Sequence, residues 1–400
     1  MELSNICEYS SKRIDSSLLN VENYVSTENM MQNKGGITLA AKVPVENSVE
    51  FLPGDILISN IRPYFRKIWL SDKKGGCSSD VLCIRALPGT DSTYLYYLLS
   101  QDSFFDYVMS GAKGCKMPRG DKSQIMQWDV DLPNFEEQHR IASILKSIDD
   151  KIQLNNRINH NLEEQAQALY KSWFVDFEPF KGGKFIKSSA GLIPETWATQ
   201  RICDLPLYIS DYVSNGSFAS LKENVTLYET PNYAQFIRNT DLKYRKFSVW
   251  VDQKSYEYLA KSKLAGGEII ISNVGDVGSV HICPQLNTPM TLGNNVIMIK
   301  PLDNIYKYFL YMTFKWFHGK DLIKGITGGS AMPKFNKTDF KSLNLLIPDY
   351  STLCKFNSLV SNLFENTISL NSSNQRLSEI RDTLLPRLMS GELKINDLTC

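Results

Sequence analysis

The most regular pattern along the chain is a stripe of apolar residues at alternating three- and four-residue spacing. Between residues 136 and 175 it runs through Ile141, Leu145, Ile148, Ile152, Leu162, Ala166, Leu169 and Trp173, with Asn155 and Asn159 filling its two gaps. Such spacing puts every member on one face of an α-helix and, sustained this far, makes a coiled-coil seam. A second run repeats the pattern at Leu359, Leu363, Leu370, Leu377, Ile380 and Leu384, with Asn366 and Ser373 in the gaps. No glycine or proline interrupts either run before Pro179 and Pro386. Helices of this length, roughly 60 Å each, need equally long partners, and the simplest arrangement buries one stripe against the other. Polar seam residues fix register at some cost in stability.

Ahead of each helix lies a mixed segment, and the two segments are related. Leu52-Pro53-Gly54-Asp55-Ile56-Leu57-Ile58-Ser59-Asn60-Ile61 reads as a turn entering a strand. It recurs as Ala265-Gly266-Gly267-Glu268-Ile269-Ile270-Ile271-Ser272-Asn273-Val274, with Gly267 lying 213 residues after Gly54. Lys116-Met117-Pro118 returns as Ala331-Met332-Pro333, and Leu132-Pro133-Asn134-Phe135 as Ile347-Pro348-Asp349-Tyr350, both shifted by 215. Ile152-Gln153-Leu154-Asn155 returns as Ile368-Ser369-Leu370-Asn371. Matches in one order at nearly one offset mark a tandem duplication. Residues 94–108 and 306–323 have helical spacing, and the glycine-rich stretches 111–120 and 325–333 read as loops. The Leu/Ile-Pro pairs then deliver the chain into the long helices.

The predicted fold is α+β with a pseudo-two-fold internal repeat. Two similar domains of mixed sheet plus helices, residues 1–133 and 179–348 (the latter with its linker), are separated by two long antiparallel coiled-coil helices in 134–178 and 349–400.

Composition narrows the function. A hydrophobic fraction of 42% and a charged fraction of 22% suit a globular protein, and no apolar run is long enough to span a membrane. The N-terminus lacks a secretory pattern, so a cytoplasmic location is expected. The eight cysteines form no C-x-x-C pair and read as reduced, mostly buried thiols. Net charge is only +1, but its distribution is uneven. Residues 62–74 hold five bases and one acid, 113–122 four and one, and 238–246 four and one, whereas 136–165 hold six acids and four bases. Basic loops on a neutral frame bind phosphate locally.

Motifs for chemistry are missing from the sequence. It contains no Pro-Pro dipeptide of the kind that holds a target amine, no Gly-x-Gly, and no P-loop pattern. Asp382, Glu392 and Lys394 resemble a nuclease set only in composition, since they fall on the terminal helix and its tail. The histidines at 139, 160, 281 and 318 are scattered, and none has a nameable partner base. No catalytic residue and no metal ligand is assigned.

At the repeat junctions the sequence resembles a known family. Leu132-Pro133-x-x-x-Glu137-Gln138-x-Arg140-Ile141-Ala142 with its long helix is similar to the central conserved region of the specificity subunits of type I restriction–modification systems. So is Leu169-Tyr170-Lys171-Ser172-Trp173-Phe174-Val175-Asp176-Phe177-Glu178-Pro179. Gly191-Leu192-Ile193-Pro194-Glu195-x-Trp197 resembles that family's entry to its second recognition domain, and residues 380–392 its C-terminal helix. The second junction departs from the pattern: it lacks the Glu-Gln pair and has Leu353 where the first has Gln138. The resemblance implies a non-catalytic specificity subunit with two target recognition domains, each reading half of a split double-stranded DNA site. Its helices would act as ruler and platform for two methyltransferase subunits. Those subunits carry S-adenosylmethionine and methylate adenine N6, and restriction subunits join the same complex.

On that reading the basic loops contact phosphate and position the domains. The candidates are Arg62, Arg66, Lys67, Lys73, Lys74, Lys113, Lys116 and Arg119 in the first domain, and Lys243, Arg245, Lys246, Lys334 and Lys337 in the second, with Arg238 beside them. Base edges need forked donors and acceptors. Asn29, Arg238 and Asn239, in comparable polar turns early in each domain, are the candidates. A non-catalytic adaptor that binds proteins and dimerises through its coiled coil is the alternative, and steep salt dependence of DNA affinity separates the two.

Overall fold

The computed structural model describes residues 1–395 other than 115, 189, 190 and 330. The long helices are Phe135–Phe174 and Tyr350–Met389, 40 residues each. Each starts behind its Leu/Ile-Pro pair and is capped by the next residue. Asn134 Oδ1 accepts from Glu137 N at 3.0 Å, and Asp349 Oδ1 accepts from Thr352 N at 3.0 Å. Such a side-chain acceptor satisfies one of the orphan N–H groups of a first turn. The second helix runs three residues past Pro386, where the lost N–H removes a single bond near the frayed end.

The chain divides into two compact units, Met1–Asn156 with Ser372–Cys400, and Arg157–Asn371. The division falls inside both long helices, not at their ends as in the four-part reading of the sequence. Packing explains the difference. In the first unit, Ile141, Ala142 and Leu145 of one helix and Leu385, Leu388 and Met389 of the other join one apolar core with Ile56, Tyr94 and Phe104. In the second, Ala166, Tyr170 and Phe174 join Leu353, Phe356, Val360 and Phe364 around Phe309 and Phe314.

The first unit has an antiparallel sheet in the order Cys7–Tyr9, Val81–Ala86, Ile56–Ser59, Ile68–Leu70. Its second sheet has the order Arg13–Ile14, Ser48–Phe51, Gly75–Cys77, Tyr24–Val25, and only the last pair is parallel. The second unit repeats this. Its antiparallel sheet is Leu207–Asp211, Val296–Pro301, Ile269–Ser272, Val280–Ile282. Its five-stranded sheet again has one parallel pair, Ala234–Ile237 against Met290–Leu292. The duplicated Ile-rich runs are strands buried on both faces. Ile56 and Ile58 point into one core and Leu57 into another, as Ile269 and Ile271 do opposite Ile270. That is why the runs are continuous and not alternating. The turn before each needs its glycine and its acid. Gly54 and Gly267 hold φ of 90° and 89°. The Asp55 carboxylate accepts from Leu52 N at 2.7 Å, and that of Glu268 from Ala265 N and Gly266 N at 2.9 Å.

Within the first unit the helices run antiparallel, since Asp149 pairs with Arg381 at 2.8 Å while Asn155 faces Asn374. Ile141 and Leu145 of the expected seam are buried, and Ile148, Ile152, Leu162, Leu169, Leu363, Leu370, Leu377 and Leu384 are half-buried. Leu359 and Ile380 correct the reading: both are exposed, and Val360, next to Leu359, and Leu385, further along from Ile380, are buried instead. Where an α+β lobe covers the helix, the face turned to the lobe is buried in place of a strict heptad seam, because 3.6 residues per turn drift from a 3.5 repeat. The seam asparagines also pair differently from the expected gap positions. Asn155 Nδ2 donates to Asn374 Oδ1 at 2.7 Å, and in the other unit Asn159 Nδ2 donates to Asn371 Oδ1 at 3.1 Å. Asn366 is exposed, and the Asn374 partnership leaves Ser373 at the side.

Among the described residues no helix is long and apolar enough to cross a membrane. Cys7, Cys77, Cys83 and Cys283 are buried and Cys354 half-buried, but Cys203 is exposed; Cys115 and Cys400 lie outside the described residues.

Replacing Asn155 and Asn374 together by leucine converts a polar pair, buried at Asn155 and half-buried at Asn374, into apolar seam. The first unit should gain about 1–2 kcal/mol, a rise of about 2–4 °C per kcal/mol in its melting midpoint. An unchanged or lower midpoint in calorimetry contradicts this assignment.

Candidate nucleic-acid interface

In each unit one glycine-rich loop is fastened to the loop that follows the Ile-rich strand. In the first, Lys113 and Arg119 exchange backbone bonds of 2.9 and 3.0 Å, and Arg62 N donates to Pro118 O at 2.8 Å. In the second, Gly328 and Lys334 exchange two bonds of 2.9 Å, and Gly275 N donates to Pro333 O at 3.0 Å. The joint is anchored by an asparagine that the duplicated motif contains but that sequence reasoning did not single out. Asn273 Nδ2 donates to Phe335 O at 3.2 Å, and in the first unit Gly120 N donates to the main-chain O of Asn60 at 3.3 Å. Arg62 and Gly275 are equivalent, with φ of 50° and 78°. A left-handed backbone suits glycine, so arginine is held there at a cost of about 1 kcal/mol or more.

The first unit gathers Arg62, Lys113, Lys116 and Arg119 around this joint. A neighbouring loop brings Lys34 N to Arg66 O at 2.9 Å, adding Arg66 and Lys67. Most of these cations already have partners. Arg66 pairs with Asp102 at 2.8 Å, Lys113 with Asp121 at 2.7 Å, and Arg119 with Asp80 at 3.1 Å. Lys67 Nζ donates to Thr27 O at 2.6 Å, and burial lowers its pKa. Lys73 and Lys74 are turned to other partners: Lys73 Nζ donates to Glu22 O at 3.4 Å, and Lys74 pairs with the buried Glu50 at 2.9 Å. In the second unit Lys243 pairs with Asp276 at 3.0 Å, and Lys337 with Asp211 at 2.9 Å. Arg62, Lys116, Arg245, Lys246 and Lys334 have no carboxylate partner among the described residues.

Of the base-reading candidates, Asn29 is a correction. It is 5% exposed; its Oδ1 accepts from Ser26 N at 2.7 Å, and its Nδ2 donates to Tyr24 O and Thr38 O. All of its polar capacity goes to closing the turn, so no group is left to reach a base. Asn239 bridges Asp276 at 3.2 Å and His281 at 3.2 Å. Arg238 is held by Asp241, with Nε to Oδ2 at 2.9 Å and Nη2 to Oδ1 at 2.7 Å. Asp241 was not singled out from the sequence. Its signal was an acid three residues after an arginine at a helix start. His281 is half-buried with Nε2 at 2.9 Å from Ser279 Oγ. Burial, then the positive charge of Lys315, pushes its pKa down to about 4.

At the helix junctions Gln138 and Leu353 fill equivalent buried positions. Gln138 Oε1 accepts from Asp91 N at 2.9 Å and its amide donates to Pro133 O at 2.9 Å, whereas Leu353 packs in the apolar core. The departure at the second junction therefore exchanges a hydrogen-bonded plug for an apolar one.

Duplicated α+β lobes, pinned basic loops and shared long helices define a class of sequence-reading protein. The model of the type I restriction modification DNA specificity domain matches residues 1–164 and 194–380, and the chain belongs to that family. It is 30% identical, over 78% of its length and 71% of the relative's, to the type I restriction enzyme MjaIX specificity subunit of Methanocaldococcus jannaschii. It is 24% identical, over 98% of both chains, to the HindI specificity subunit of Haemophilus influenzae. The crystal structure of a type I restriction–modification S subunit from M. genitalium shares its fold, with a TM-score of 0.58 at 16% identity over 97% of this chain and 95% of that one.

His281 makes the second unit sensitive to acid. Because its folded-state pKa of about 4 lies below the ordinary 6.5, the folded form binds fewer protons between those values. Stability therefore falls as pH drops from 6.5 towards 4. A loss of about 1–2 kcal/mol, discounted for partial exposure, should be removed by His281→Asn. Identical pH profiles for the two proteins in thermal melts would contradict it.

Proposed function

We propose that this chain reads a two-part double-stranded DNA site, one half per unit, and leaves the chemistry to other chains. The observation that supports this reading best is that both units present the same pinned loop pair carrying cations with no carboxylate partner among the described residues, Arg62 and Lys116 in the first and Lys334 in the second. Phosphate contact gains its free energy by releasing counterions from DNA. A cation already neutralised by a carboxylate contributes less net charge to that exchange. Arg62 and Lys116 in the first unit, and Arg245, Lys246 and Lys334 in the second, are therefore the main phosphate ligands. Arg66, Lys113, Arg119, Lys243 and Lys337 act only where their acids let go, and Lys67, Lys73 and Lys74 serve the fold.

Two methyltransferase subunits would dock on this frame, binding S-adenosylmethionine and methylating adenine. Restriction subunits would join the same assembly in the cytoplasm. This chain's own residues contribute recognition and placement. Salt titration of duplex binding tests the reading. Five phosphate contacts give a slope of log affinity against log salt of about −4 to −5. A flat response would favour the protein-binding adaptor, and DNA methylation by this chain alone with S-adenosylmethionine would contradict the division of labour.

Arg62→Gly should act on fold and binding with opposite signs. Relief of the left-handed backbone raises stability by about 1 kcal/mol, while loss of the cation lowers DNA affinity and flattens the slope by about 1. Melting curves and salt titrations of the variant check both; a fall in stability or an unchanged slope contradicts the assignment.

A further inference from the structure

The two turns that carried the base-reading candidates are built on one plan. Each follows the strand that pairs parallel with its neighbour, Tyr24–Val25 and Ala234–Ile237. In each, a buried side chain three residues on accepts from a backbone N–H: Asn29 from Ser26 at 2.7 Å, and Asp241 from Arg238 at 2.9 Å. Asn29 thus corresponds to Asp241, and Ser26 to Arg238. The framework is shared; what differs is the side chain it holds. Serine ends at its hydroxyl, whereas arginine extends outward, 35% exposed, from a carboxylate 2% exposed.

Arg238 has five N–H donors in a planar fork. Nε and one Nη2 hydrogen face Asp241, and the other Nη2 hydrogen has only Ser248 Oγ at 3.5 Å. The Nη1 donors have no partner among the described residues. The stem passes close over Gly293, where a Cβ would lie 3.0 Å from Arg238 Cγ. Such a group is a poor phosphate ligand, since its charge is already balanced. Its end edge, Nη1 with Nη2, still offers the paired donors that match guanine O6 and N7. Holding a flexible arginine in one orientation before binding removes an ordering cost from the contact.

We propose that Asp241 is a positioning residue that presets Arg238 to read a guanine in the half-site of the second unit. This rests on the DNA-reading function proposed above. Asp241→Asn is the informative variant, because Asn29 already supplies the same backbone cap as an amide in the first unit. The full-length chain, Arg238→Ala and Asp241→Asn are used to select duplexes from a randomised library, with melting temperature measured alongside.

Arg238→Ala should abolish preference for one guanine. Asp241→Asn should weaken that same preference about tenfold, leaving other positions and the melting temperature as in the parent. Undiminished guanine preference in Asp241→Asn overturns the proposal, as does uniform weakening with no change of base preference in Arg238→Ala. Relaxation of the whole half-site with a lower melting temperature makes Asp241 purely structural and overturns it too. A parent chain that selects no two-part sequence defeats the DNA-reading function itself, which is a distinct result.

Discussion

The constraint on which everything else depends is that each recognition lobe completes its core with residues from both long helices. Leu385, Leu388 and Met389, near the end of the chain, are buried with Leu3, Ile6 and Cys7 near its beginning. Each such side chain contributes about 1.5–3 kcal/mol on burial, comparable with a sizeable part of a domain's net stability. Neither repeat, taken as a continuous stretch of sequence, contains its own core. Each unit of the tandem duplication is therefore assembled from both halves of the chain. The Asn155–Asn374 and Asn159–Asn371 bonds lock the register in which that exchange occurs.

Upon this shared framework the two units differ in the side chains their loops display. Gly275 stands where Arg62 does, and Arg238 where Ser26 does, while the backbone bonds around each are the same. The buried acids of the strand-entry turn, Asp55 and Glu268, and the loop-anchoring Asn60 and Asn273 are framework. Separating framework from displayed side chains is what allows a loop surface to vary without loss of the core beneath it.

Much of this was legible in the sequence, for identifiable reasons. The helices were, because long apolar stripes with no glycine or proline before Pro179 and Pro386 have few other solutions. So was the duplication, because Gly54 and Gly267 need the same positive φ and Asp55 and Glu268 close the same turn. The buried face of the second helix was misplaced at Leu359 and Ile380, because the lobe that covers it comes from elsewhere in the chain. The interface was less legible still. A basic cluster in sequence shows charge but not its neutralisation: Arg66 meets Asp102, Arg119 meets Asp80, and Lys243 meets Asp276, all acids remote in sequence. Asn29 looked like an exposed recognition amide because an asparagine that caps a turn and one that reads adenine share the same polar surroundings in sequence.

In the proposed division of labour, one duplicated chain selects a two-part DNA target for chemistry performed by other chains. Mapping N6-methyladenine at single-base resolution, in cells with and without this chain, tests it most directly. Removing the chain should erase methylation at one motif made of two separated halves and at no other. Methylation that is unchanged, or lost only at a single uninterrupted motif, would contradict it.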